Sequence, residues 1–211
     1  MRQLFKNLFL LILVFLTTMP CTLSAIKGGI EYQIPIDYRN LNKAELEEKA
    51  NFYYDIAIKN KRGNIDENMT DALNLYTILS NQNPGETKYF IKLGYLYDIA
   101  GKDRYSKGNF YRAISVNNHI PEPYFGLGEY FYTHNQIRKA LKMYLEAYKK
   151  GYSNHYQTLY KLGCIYEKLG DTRVALEYYR TASRIEPSDE LDAKITQLQN
   201  NDSSNKNYYS Q

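Results

Sequence analysis

Residues 161–187 read KLGCIYEKLGDTRVALEYYRTASRIEP. Two amphipathic stretches flank a Gly170-Asp171 break, and nothing in them is a catalytic motif. The stretch is one copy of something repeated. Sliding back along the chain finds YFGLGEYFYTHNQIRKALKMYLEA at 124–147 and FIKLGYLYDIAGKDRYSKGNFYRA at 90–113. Gly94, Gly128 and Gly163 each follow a Leu and fall 34 and then 35 residues apart. Three residues after each Gly comes an aromatic, Tyr97, Phe131 or Tyr166. A second series then repeats: Ser106, Phe110, Ala113; Ala140, Tyr144, Ala147; Ala175, Tyr179, Ala182.

The spacings have physical content. Leu, Gly and the aromatic share one face of a first helix. The Gly leaves room for close approach of a neighbour. The small, aromatic and Ala series, four and then three residues apart, is the contact face of a second helix. Gly101 and Gly170 stand where the first helix must end in a left-handed cap. Pro121 opens the middle copy and Pro187 closes the last. A hairpin of two helices is too thin to bury its own apolar face, so neighbouring hairpins must stack.

This pattern resembles the tetratricopeptide repeat (TPR) family over residues 87–187, on Leu159, Leu162, Gly163, Tyr166, Ala175, Tyr179, Ala182 and Pro187 in the last copy and their counterparts in the other two. The resemblance implies an all-α, TPR-type helix-turn-helix solenoid with clean repeats at 87–120, 121–155 and 156–187. A degenerate repeat at 43–86 carries Ala72, Tyr76, Leu79 and Pro84 but lacks the Leu-Gly pair. Its long connection, KNKRGNIDENMT, is similar to those of Sel1-like repeats. A capping helix is expected at 188–199, from the Ser188 start and the Leu191, Ile195, Leu198 stripe. The polar tail at 200–211 is expected to be disordered, and residues 26–42 extended or flexible.

The N-terminus reads as a signal peptide over residues 1–25. Arg2 and Lys6 precede the apolar run 8–16, Pro20 breaks it, and small residues end in Ser24-Ala25. Thr18, Met19 and Pro20 before Cys21 do not make a lipobox. Cleavage removes two positive charges and lowers the formal charge from +4 to +2, which offers no electrostatic case for nucleic acid or anionic membrane. The mature chain keeps one cysteine, Cys164, so it has no internal disulfide. Export to the periplasm or outside the cell is the expected localisation. The abundance of Lys, Asn, Ile and Tyr resembles the coding bias of an AT-rich bacterial genome.

No catalytic, metal or cofactor motif stands out. His119, His134 and His155 fall in connections between helices, and Glu45, Glu47 and Glu48 read as a solvated helix face. No cofactor is expected and the chain is expected not to be an enzyme. The resemblance implies a concave face lined by the first helices, at the second, fifth, ninth and twelfth places of each repeat. These are Lys88, Ile91, Tyr95 and Asp98; then Glu122, Phe125, Glu129 and Tyr132; then Gln157, Tyr160, Cys164 and Glu167. The candidate partner-binding residues are Tyr95, Phe125, Tyr132 and Tyr160, with Lys88, Asp98, Glu129 and Glu167. Ile91 and Tyr95 stand where a carboxylate clamp wants Lys and Asn, which argues against capture of a C-terminal tail. The expected role is a protein–protein scaffold or adaptor of the cell envelope that binds a peptide or helix. A secreted effector engaging host proteins, a peptidoglycan or envelope assembly factor, and a self-associating module are the alternatives.

Overall fold

The computed structural model describes residues 24–26, 31–33, 38 and 40–208. Nine α-helices are found among them: α1 (Lys43–Ala57), α2 (Glu67–Gln82), α3 (Thr87–Ile99), α4 (Asp103–Val116), α5 (Glu122–Thr133), α6 (Ile137–Lys149), α7 (Tyr156–Lys168), α8 (Thr172–Ile185) and α9 (Asp189–Tyr208). A short antiparallel pair precedes them, β1 (Ser24–Ile26) against β2 (Glu31–Gln33), with Ala25 opposite Tyr32. Most of the predicted signal peptide lies outside the described residues; Ser24 and Ala25 belong to β1. The helix start at Lys43 has a local cause. Asn42 accepts from the Ala44 and Glu45 amides at 2.9 and 3.1 Å, and its own amide donates to Glu45 Oε2 at 2.8 Å, closing a capping box.

Consecutive helices pair as hairpins α1–α2, α3–α4, α5–α6 and α7–α8, and each hairpin stacks on the next through α2–α3, α4–α5, α6–α7 and α8–α9. The chain has the all-α, TPR-type fold that the repeat implies. The stack is held where a second-helix ring passes beneath a first-helix glycine. A Cβ placed on Gly128 would lie 2.7 Å from the Tyr144 ring, and one on Gly163 would lie 2.6 Å from Tyr179. Phe110 is enclosed by two glycines, since a Cβ on Gly94 or Gly126 would meet its ring at 2.6 or 2.4 Å. Phe110, Tyr144 and Tyr179 are all buried, as are Ala113, Ala147 and Ala182 beside them. Gly101 and Gly170 end the first helices at φ 69° and 85°, the left-handed conformation a C-cap needs. The middle repeat reaches the same cap with Asn135 at φ 56°, Asn being among the residues that tolerate it.

Two expectations need correction. The polar tail is not wholly unstructured, because α9 runs unbroken from Asp189 to Tyr208, past the expected end at 199. In its first part Leu191 is buried, with Ile195 and Leu198 against the same cluster as Tyr179. The second concerns Glu47, read as part of a solvated face: it is half-buried, accepts from the Tyr89 hydroxyl and pairs with Lys88 at 3.0 Å. Glu45 and Glu48 are exposed as expected, and Glu45 also closes the capping box. The long connection after α1 folds onto the next repeat. The Gly63 amide donates to the Ile99 carbonyl at 2.6 Å, and Arg62 reaches Asp103 and, at 3.7 Å, Asp98.

Candidate functional site

The first helices carry a ladder of polar contacts that sequence periodicity alone does not reveal. Places are counted from Lys43, Thr87, Pro121, Tyr156 and, in the cap, Asp189. The second-helix tyrosines send their hydroxyls toward the ninth and twelfth places, Tyr144 and Tyr179 passing under a glycine to do so. Tyr76 donates to Asn51 at 2.7 Å, Tyr144 to Glu129 at 2.5 Å and Tyr179 to Glu167 at 2.7 Å. In the remaining repeat the ring is Phe110, which has no hydroxyl. There the ninth place is Tyr95, set edge-on to Phe110 with centroids 5.1 Å apart. Polar faces polar where there is a hydroxyl to satisfy, and ring faces ring where there is none.

Lysines at the sixth place reach back to the preceding repeat. Lys92 lies 3.6 Å from the Tyr54 ring centroid. Lys161 donates to Glu129 at 2.9 Å and sits 5.0 Å from the Tyr132 ring. Lys194, in the capping helix, pairs with Glu167 at 3.0 Å. The middle repeat breaks this series, because its sixth place is Gly126, occupied by the Phe110 ring.

The eight predicted contact residues therefore fall into two sets. Lys88, Asp98, Glu129 and Glu167 are engaged by the chain itself, through Glu47, Arg62, Lys161 and Lys194. These pairs are partly exposed and tie repeat to repeat. Asp98 has its pKa raised by burial, with Arg62 opposing. Tyr95, Phe125, Tyr132 and Tyr160 are half-buried. Each rests on neighbours: Tyr95 on Phe110, Phe125 on Tyr144, Tyr132 against Lys161 and Lys168, and Tyr160 stacked on Tyr156 with centroids 6.0 Å apart. Beside Tyr160 a cavity of about 360 Å³ opens between α7 and α9, lined by Tyr156, Ser188, Glu190, Leu191 and Lys194 among others.

A second group, around Phe125, escaped the sequence reading. A 3-10 turn (Tyr152–Asn154) places Tyr152 and His155 over it. The His155 ring stacks on Tyr152 at 4.1 Å and meets Phe125 edge-on at 5.2 Å. Its Nδ1 is 2.8 Å from the Thr158 hydroxyl. Burial pushes the His155 pKa down, with the Glu122 carboxylate opposing. The Tyr152 phenol is pushed up to about 12 by burial, then by the charge of Glu122 and a hydrogen bond to it. The signal that could have found this group is Tyr152 itself, which stands in the middle repeat at the place where Pro187 closes the last. Cys164, at the ninth place of the last repeat, is half-buried beside the Tyr160 and Tyr179 hydroxyls. His134 instead bridges repeats, with Nε2 2.9 Å from Asp103. Among the described residues no group of three or more His, Cys, Asp or Glu side chains could hold a metal ion. No described helix is long and apolar enough to cross a membrane.

Comparison with known proteins agrees with the geometry. Residues 156–189 match the family model described as tetratricopeptide repeat. A stretch of 116 residues, 53% of this chain, is 30% identical to the Protein CTR9 homolog of Arabidopsis thaliana, and it covers 10% of that protein. The chain thus spans only a small part of the curated relative it matches. Among solved structures, MamA superposes with a TM-score of 0.57 at 19% identity, covering 64% of this chain and 80% of MamA. A thermophilic TPR protein of Thermus thermophilus superposes with a TM-score of 0.57 at 15% identity, covering 77% of this chain and 84% of that protein. At these identities the likeness establishes the fold alone. The chain carries a tetratricopeptide repeat and is built as a TPR-type solenoid, and proteins of this type generally mediate protein–protein interaction.

Proposed function

We propose that the protein is a non-enzymatic adaptor of the cell envelope that holds an extended peptide or a helix of a partner protein against its first-helix face. The observation that carries this reading is the row of half-buried rings, Tyr95, Phe125, Tyr132 and Tyr160, one or two per repeat. Their inner edges are packed, so they are held in place before a partner arrives, and little side-chain entropy is lost on binding. The charged rungs between them are neutralised within the chain and fix the spacing of the repeats. Specificity then comes from the aromatic surface and from whatever charge the rungs leave uncompensated. The N-terminal layout of positive, apolar and small residues supports export.

The test compares the protein with a variant carrying Tyr95→Ala, Phe125→Ala, Tyr132→Ala and Tyr160→Ala. Both are checked for helical content by circular dichroism and panned against a dodecapeptide phage library. Peptides that bind the parent and lose the folded variant support the groove. Peptides that bind both equally move the site to another surface. N-terminal sequencing of the chain from its native cell tests export, which an intact residue 1 in a cytoplasmic fraction would refute.

A further inference from the structure

Among the described residues, the polar ladder leaves the Glu122 carboxylate uncompensated. Glu122 stands at the second place of the middle repeat, in the first turn of α5, where the helix dipole favours a negative charge. It makes no ion pair with a described residue, in contrast to Glu47, Glu129 and Glu167. One of its interactions is with the Tyr152 hydroxyl. Its Oε2 is out of solvent and accepts no hydrogen bond. A desolvated carboxylate oxygen without a donor is costly to maintain. Lys161, the reach-back lysine that enters this repeat, is taken by Glu129. Around it stand π faces and edges: Phe125, Tyr152 and His155 contact one another at centroid distances of 4.1 to 6.1 Å. Tyr95 lies within the electrostatic reach of both Glu122 and Tyr152.

We propose that this place on the groove receives a cationic side chain, a lysine or arginine of the bound protein segment, between the aromatic wall of Phe125, Tyr152 and His155 and the carboxylate of Glu122. The inference rests on the groove reading of the preceding section and adds the chemistry of the occupant. The same chain shows how such a cation is held. Lys161 meets both a carboxylate, Glu129, and a ring, Tyr132; Lys194 meets Glu167 and the Tyr179 ring. A partner cation at Glu122 would give Oε2 the donor that the described chain does not supply. An ammonium or guanidinium gains from the ring faces as well as from the charge. An anionic or purely apolar side chain would leave Oε2 without a donor. Tyr152 is half-buried, between exposed Gly151 and Ser153.

Two measurements test this on the whole protein. The first is an amide NMR titration with N-acetyl-lysine methylamide, beside N-acetyl-norleucine methylamide as the neutral analogue. The lysine amide is expected to shift the Phe125 and His155 signals in a saturable way, and Glu122→Gln is expected to weaken it about tenfold. Equal shifts from the neutral analogue, or shifts unchanged in Glu122→Gln, overturn the proposal. The second uses phage-selected dodecapeptides, with binding compared on Glu122→Gln and on Tyr132→Ala/Tyr160→Ala, which lies away from the cation position. Peptides rich in Lys or Arg that lose affinity on both variants support the proposal. Peptides lost only on the tyrosine variant, with no basic preference, overturn it and leave the groove reading standing. Peptides that ignore both variants overturn both readings. Unchanged thermal unfolding of Glu122→Gln separates lost binding from lost fold.

Discussion

Changing a helical glycine to alanine should have opposite signs at two places in this chain. Gly108 lies in the middle of α4, exposed, with nothing within 4 Å of an added Cβ. Alanine there gains only helix propensity, about 0.5–1 kcal/mol. Gly128 has the same local conformation in α5, but its Cβ would lie 2.7 Å from two atoms of the Tyr144 ring. That ring cannot swing aside cheaply. It is 0% exposed, and its hydroxyl is anchored on Glu129 at 2.5 Å. Overpacking costs about 1–3 kcal/mol. Set against the propensity gain, Gly128→Ala should destabilise by about 1–2 kcal/mol, a fall of about 2–8 °C in Tm for a chain of this size. Gly108→Ala should raise Tm by about 1–4 °C. Urea midpoints at constant slope check both values. The double variant Gly128→Ala/Tyr144→Leu should cost less than the sum of its parts, because the leucine vacates the contested space. A Gly128→Ala protein as stable as the parent would refute the reasoning, since the glycine would then not be needed for close approach.

Tyr144→Phe removes only the hydroxyl and should cost about 1 kcal/mol, a value checked by urea unfolding; Phe110 already fills the equivalent place without one. Lys161→Met keeps the packing but breaks the rung to Glu129. It should cost about 0.5–1 kcal/mol, because both partners are partly exposed. Combined with Tyr144→Phe it should depart from additivity, since both act on one carboxylate. The depressed pKa of His155 means that the fold disfavours its protonated ring. Its contribution is therefore complete above the ordinary value of 6.5 and declines as the pH falls below it. The drop in Tm between about pH 7.5 and about pH 5.5 should be smaller in His155→Gln than in the parent; an equal drop would assign the pH dependence to other groups.

How much was legible in advance follows from what repeats. The glycine under each ring, the Gly101 and Gly170 caps and the Leu191 stripe are local or periodic features, and one-dimensional periodicity reports them. The end of the last helix was not legible, because residues 200–208 are polar and their helix is a continuation of a packed one rather than a segment with an apolar face of its own. The partners of Glu47, Glu129 and Glu167 were not legible either. Each is reached by a side chain from another helix, up to 42 residues away for Tyr89 and Glu47.

The division has a physical reason. Repeat spacing, helix periodicity and cap residues are properties of neighbours along the chain, so the sequence by itself determines a stack of helical hairpins. Which carboxylate is neutralised and which is left unanswered depends on distances across stacked helices. Gly126 and Phe110 look ordinary as residues. Only in the tertiary structure does the ring fill the space over Gly126, and only there does Glu122 stand beside Phe125, Tyr152 and His155 with an oxygen no described residue of the chain has taken.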